Sequence, residues 1–152
     1  MAIIHVISFN QAMNILNAEM RQKVKNVTLN SVEELTEKVV DDTPVGDPSL
    51  WSMPAPAGYE EGTLKHNWNN SLSAAIVSFE HEQTVQTEQV MNRLRPVIDN
   101  MFGKNYYLTN NTPYSERIEY AGWSTQAPFG MVRKNAALFP QIVRNYVNLE
   151  NA

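Results

Sequence analysis

Cysteine is absent from the 152 residues, which removes disulfide frameworks, thiolate metal sites and cysteine nucleophiles together. Like charges form no run, and a formal net charge of -4 provides no basic patch. Neither nucleic acid nor an anionic membrane surface is therefore the expected direct ligand. No apolar run approaches the roughly 20 residues that a membrane helix needs. Residues 2–7, AIIHVI, are apolar but too short for a signal peptide and lack its basic lead, so they predict a short strand or extended arm. The expectation is a soluble protein made in the cytoplasm.

Recognisable chemistry is equally scarce. There is no nucleophile elbow, glycine-rich phosphate loop or dinucleotide fingerprint. His5, His66 and His81 are scattered, and none has a ligand partner at helical spacing. His81 lies between Glu80 and Glu82, but neighbours along a strand point to opposite faces, so this triplet predicts no chelate. The carboxylate pairs Glu33/Glu34, Asp41/Asp42, Glu60/Glu61 and Glu116/Glu119 have the character of solvated surface. A general acid–base pair needs a pocket that drives two pKa values apart. The sequence predicts no catalytic residue, no metal site and no cofactor.

What is present is 43% hydrophobic and 18% charged residues, the balance of one globular domain spanning 1–152. Ser8 and Gln11 have the spacing of a capping box. Met13, Leu16, Met20, Val24 and Val27 then recur as an amphipathic stripe, and Val32, Leu35 and Val39 carry it to about Asp42. Ser31 and Glu34 have the spacing of a second capping box, which leaves open one long rod or two pieces. Pro44 ends the helix. The first stripe is expected to pack against Trp68, Leu72, Ile76 and the last helix.

Residues 66–79 alternate as a strand, with Trp68, Leu72, Ala74 and Ile76 on one face, and the phase shift near Val77 and Phe79 predicts a bulge. A helix from Val85 to Met101 contains Pro96, which predicts a kink or a new start. Tyr106–Thr109 predicts a second strand. Thr112 and Pro113 open a short helix as cap and first residue, ending near Gly122. Met131, Leu138, Ile142, Tyr146 and Leu149 stripe the final helix. The fold class is α+β: a long N-terminal helix and further helices packed on a small, largely antiparallel β-sheet.

Residues 43–63 predict a long loop holding four of the eight prolines and three of the six glycines. Loops of this length in a small domain are usually functional or disordered. Large apolar side chains in such a loop suit a docking element, with a lid folded on its own core as the alternative. The candidate interface residues are Trp51, Met53, Tyr59, Tyr114, Trp123 and Phe129, aromatic or apolar groups in or beside loops.

Two segments carry a resemblance. The first is TPVGDPSLW at 43–51 with GYEEG at 58–62 and LKHNW at 64–68; the second is NNTPYSERIEYAGWSTQAPFGMV at 110–132. Their order and spacing resemble bacteriophage tail-completion (neck, minor tail or head–tail joining) proteins. The matching places are Thr43, Pro44, Val45, Gly62, Lys65, Asn67 and Trp68 in the first segment. In the second they are the paired asparagines, a Pro-Tyr helix start and Ala-Pro-x-Gly-Met-Val; at the family's Glu-x-Gly-x-Ser hinge this chain has Glu119, Gly122 and Ser124, with one extra residue between the first two. With the helices the likeness covers roughly residues 10–147. Lys65 stands where arginine is common and Phe129 where a small residue is common. Pro140 interrupts a final helix that is usually unbroken, and residues 1–7 have no counterpart.

The resemblance implies a structural virion protein forming a homo-oligomeric ring, six-fold by expectation, at the head–tail joint. Its partners would be a head-closure or connector ring and the tail-tube protein, with a tail-terminator role also within the family's range. Phage DNA would pass through the lumen without specific binding, since an acidic wall does not hold phosphates. The protein would reside in the virion, and in the host cytoplasm during assembly, without a membrane. Two other classes compete: a non-viral protein-interaction module docking through the same aromatic loops, and a hydrolase using Glu60/Glu61.

Overall fold

The computed structural model describes residues 8–50, 52–55, 57 and 59–152; the arm predicted at 1–7 and Trp51 lie outside the described residues. The chain builds α1 (Phe9–Asp41), α2 (Thr63–His66), β1 (Trp68–Ser71), α3 (Thr87–Ile98), β2 (Tyr107–Asn110), α4 (Ser115–Ala121), α5 (Val132–Ala136) and α6 (Phe139–Glu150). A 3-10 turn, Pro48–Leu50, interrupts the long loop. This is the α+β layout that the sequence predicts.

Helix α1 starts where Ser8 and Gln11 form a reciprocal capping box, satisfying two donors left open at a helix start. It continues as one rod of 33 residues, so Ser31 is not a second cap but a buried residue inside the helix. Thr43 donates its hydroxyl to the Val39 carbonyl at 2.7 Å and Pro44 follows, which stops the rod.

The core gathers on the C-terminal half of α1. Val39 and Val40 meet Leu64, Trp68, Val90, Met91, Leu94, Ile98, Ile118 and Met131 in one buried cluster, with Leu29, Val32 and Leu35 partly buried against it. The N-terminal half behaves differently. Met13, Leu16, Met20 and Val24 do not pack on Trp68, Leu72 and Ile76; all four are exposed. The reason is length. A rod of 33 residues spans about 50 Å, whereas the 12-residue α6 that lies along it spans about 18 Å.

The sheet has two antiparallel strands, with Trp68 opposite Asn110 and Ser71 opposite Tyr107. The strand expected over 66–79 is therefore four residues long, and no bulge forms at Val77 or Phe79. Beyond Ser71 side chains replace the ladder. Thr109 Oγ1 and Asn111 Nδ2 both donate to the Ile76 carbonyl, at 2.8 and 2.6 Å. Asn67 pairs with Glu80 as a strand residue would, its Nδ2 donating to the Glu80 carbonyl at 2.9 Å and its Oδ1 accepting from the Glu80 amide at 2.8 Å.

Pro96 lies inside α3 without ending it, on an exposed face where the missing amide leaves a carbonyl that water can reach. Thr112 and Pro113 do not open α4; they form the turn before it, and Tyr114 occupies the cap position. Gly122, with φ of 61°, ends α4 in the left-handed region that favours glycine. The final helix is broken into α5 and α6, with Pro140 in the first turn of α6, where its lack of an amide costs nothing.

Candidate docking surface

The long loop leaves and rejoins the domain at one point. The Gly62 amide donates to the Val45 carbonyl at 2.9 Å, and the Tyr59 hydroxyl donates toward the Val45 and Gly46 carbonyls at 3.0 and 3.2 Å. Gly62 has φ of +81°, and a Cβ there would lie 2.9 Å from the Thr84 carbonyl oxygen. Only glycine fits both the conformation and the space. Burial, then Glu61 and Asp47, push the Tyr59 phenol up to about 12, so it remains a neutral donor across the physiological range.

Around this closure, the residues of the first resembling segment hold one another. Trp68 Nε1 donates to Thr43 Oγ1 at 2.8 Å. Lys65 is buried, its ammonium 3.2 Å from Thr87 Oγ1 and 3.5 Å from the Asp41 carbonyl. Burial pulls the Lys65 pKa down against the raising influence of Asp41 and Asp42. Arg93 reaches under the segment to the Trp68 carbonyl at 3.1 Å.

The second segment is organised by Glu119. Burial would raise its pKa, but the amides of Val132, Arg133 and Met131 outweigh that and hold it below its ordinary value. Those amides donate to its two carboxylate oxygens at 2.9, 2.9 and 2.6 Å, so one side chain satisfies three of the donors left open at the start of α5. Gly130, with φ of +81°, allows the approach: a Cβ there would sit 2.7 Å from the Glu119 carbonyl oxygen. Glu119, expected from the sequence to be solvated surface, is buried.

The six candidate interface residues divide. Tyr114 is only 8% exposed and belongs to the core, its ring 5.3 Å from that of Tyr59 in a tilted stack. As the residue capping α4, it turns inward, and so it is not a surface anchor. Tyr59 is half-buried and faces the loop closure. Trp123 is half-buried under the Arg117 guanidinium, 4.6 Å above its ring. Met53 is 58% exposed and Phe129 is 73% exposed. Met53, Pro54, Gly122 and Trp123 line one cleft of about 100 Å³, beside the turn bearing Phe129. The surface edge is thus Met53, Trp123 and Phe129. Trp51 lies outside the described residues.

A second grouping escaped the sequence reading. Glu80 and Glu82 share a face, as alternate residues of an extended chain do, and they meet His66 rather than His81. His66 Nε2 is 3.2 Å from Glu80 Oε2 and 3.9 Å from Glu82 Oε2, and Nδ1 bonds Thr84 Oγ1 at 2.9 Å. These three donor atoms lie within 4.8 Å of one another, the one such grouping among the described residues. It is where a divalent cation would find three ligands, although both imidazole nitrogens already have partners in the chain. The signal available in sequence was the i, i+2 spacing of the glutamates; their partner comes from across the fold. Glu60 and Glu61 are exposed, and Glu60 accepts from Gln83 at 3.3 Å.

Among the described residues no helix is long and apolar enough to cross a membrane. No protein-family model, curated protein or solved structure matches this chain.

Proposed function

We propose that this chain is a structural virion protein of a tailed bacteriophage, a ring subunit at the head–tail joint that connects the head connector to the tail tube. The observation that carries the reading is the convergence of the two resembling segments. Met53, from the loop between the 43–51 and 58–62 parts of the first, and Trp123 from the second line one cleft, while Thr43, Gly62, Lys65, Asn67 and Trp68 are buried. A rigid base with exposed apolar groups at its edge suits docking onto a preformed surface, because little ordering entropy is lost on contact.

The test is negative-stain microscopy of the purified protein with and without tail tubes. Rings, or tubes capped at one end, are expected. Monomers that leave the tubes uncapped would overturn the reading and favour a protein-interaction module acting elsewhere. Met53→Asp with Phe129→Asp is expected to leave the melting temperature unchanged and to abolish capping, since both side chains are exposed.

A further inference from the structure

Among the described residues, the N-terminal half of α1 has few partners: Met20 borders α6 and Arg21 lies over the Phe102 ring. Residues 9–23 are exposed throughout apart from Ala12, yet Phe9, Met13, Leu16 and Met20 recur at alternating steps of four and three residues. That is the seam of a helix that packs against another helix. Phe9 is 78% exposed and Met20 57%. A lone helical extension of this length is marginal in water, and an apolar seam along it predicts a cover.

The seam runs directly into a groove between α1 and α6. Met20, Val24, Val27, Val143 and Val147 line this groove, which has a volume of about 410 Å³ and Lys23 at its rim. Further along, Glu34, Glu37, Asp41 and Glu88, with Lys38 the one cation among them, line a net acidic groove, and Glu33, Glu34 and Glu37 meet Tyr146 in another. The charge of α1 is divided accordingly. Arg21, Lys23 and Lys25 outnumber Glu19 in its first part, whereas Glu33, Glu34, Glu37 and Asp41 outnumber Lys38 in its second. This polarity opposes the helix dipole, so helix stability does not account for it.

One operation satisfies both features. Displacing a parallel copy of α1 by about three helical turns lays its Phe9–Met20 seam on the apolar α1/α6 groove of the first copy. The same displacement places its Lys23 beside Glu34 and Glu37. An antiparallel pair cannot do this, because the register that joins seam to groove leaves the basic and acidic parts far apart. We infer that the exposed seam of α1 is a self-association surface: it takes the α1/α6 groove of a second copy of this chain, in parallel, staggered, head-to-tail contact. Such a contact is heterologous and propagates to a ring when the rotation closes. The inference deepens the ring reading above, but is tested on the isolated protein.

The test uses sedimentation velocity and cysteine cross-linking, which is clean because the chain has no cysteine of its own. Concentration-dependent association is expected. Leu16→Glu should abolish it with unchanged circular dichroism, since the side chain is exposed. Lys23→Glu should raise the dissociation constant about tenfold, and adding Glu37→Lys should restore it. A variant carrying Leu16→Cys and Val27→Cys should oxidise to a ladder of multimers, as these positions are about 16 Å apart along one helix and cannot bridge within it. Leu16→Cys alone should give little homodimer. A monomer at every concentration, or efficient homodimers of Leu16→Cys alone, would overturn the inference. Association that follows these rules without any capping of tail tubes would sink the head–tail reading and leave this surface standing.

Discussion

Glu119 carries more structure than any other charged residue in the chain, because three consecutive amides and Arg133 converge on it. Glu119→Gln keeps the shape but replaces one acceptor oxygen with a donor that faces amides. A loss of about 1–3 kcal/mol is expected, read as a lower midpoint in urea denaturation. The pH dependence has a definite sign. The folded pKa is depressed, so this stabilisation is complete above the ordinary value near 4.5 and disappears as pH falls through the folded value. Wild type should therefore lose more stability than Glu119→Gln between pH 5 and the acid range, about where carboxylates titrate. Gly62 offers a second test at this scale. Gly62→Ala combines a disfavoured conformation with a collision against Thr84, and a cost of about 1–3 kcal/mol is expected in thermal unfolding.

At the scale of elements, periodicity and punctuation explain what the sequence predicts well. The capping box at Ser8, the stop at Pro44, the left-handed end at Gly122 and the break near Pro140 are local chemistry, legible within a few residues. The shortness of β1 was not, because its length is set by β2, and the later part of 66–79 is tied by Asn67, Thr109 and Asn111 side chains instead of a ladder. The stripe on α1 was read correctly as apolar, and its Met20, Val24 and Val27 do border α6 as expected, but it does not reach Trp68, Leu72 and Ile76. Periodicity says which face of a helix seeks a partner, and not whether that partner belongs to the same chain. The same limit hid the His66–Glu80–Glu82 grouping and led Tyr114 to be counted among surface anchors. Two substitutions measure the asymmetry of α1 and its surroundings. Leu94→Ala, in the buried core, should cost about 2–5 kcal/mol, whereas Leu16→Ala should stay within about 0.5 kcal/mol in the dissociated monomer.

For the whole molecule, the described residues form a core at the C-terminal half of one long helix, an apolar edge of Met53, Trp123 and Phe129 that we propose docks, and a projecting seam. The edge and the seam use different elements, so lateral assembly and axial docking should be separable by mutation. Met53→Asp with Phe129→Asp should still self-associate in sedimentation, and Leu16→Glu should still bind a tube end weakly as a monomer. Loss of both properties in either variant would show one shared surface in place of two.

The closure between Val45 and Gly62 has a consequence for how this domain changes over time. A backbone hydrogen bond and the Tyr59 hydroxyl hold both stems together, so the segment is closed at its base, and it touches the scaffold again at Tyr114 and at the Gly122–Trp123 cleft. Doubling the length of such a segment costs only about 0.6 kcal/mol in closure entropy. Insertions, deletions and wholesale exchange at the tip are therefore nearly neutral for folding, whereas the stems admit almost none. If the segment docks as proposed, recognition can drift while the frame is held constant: a chimera that exchanges only the residues between Gly46 and Tyr59, keeping Tyr59, should fold with nearly the host's stability and take the donor's choice of partner.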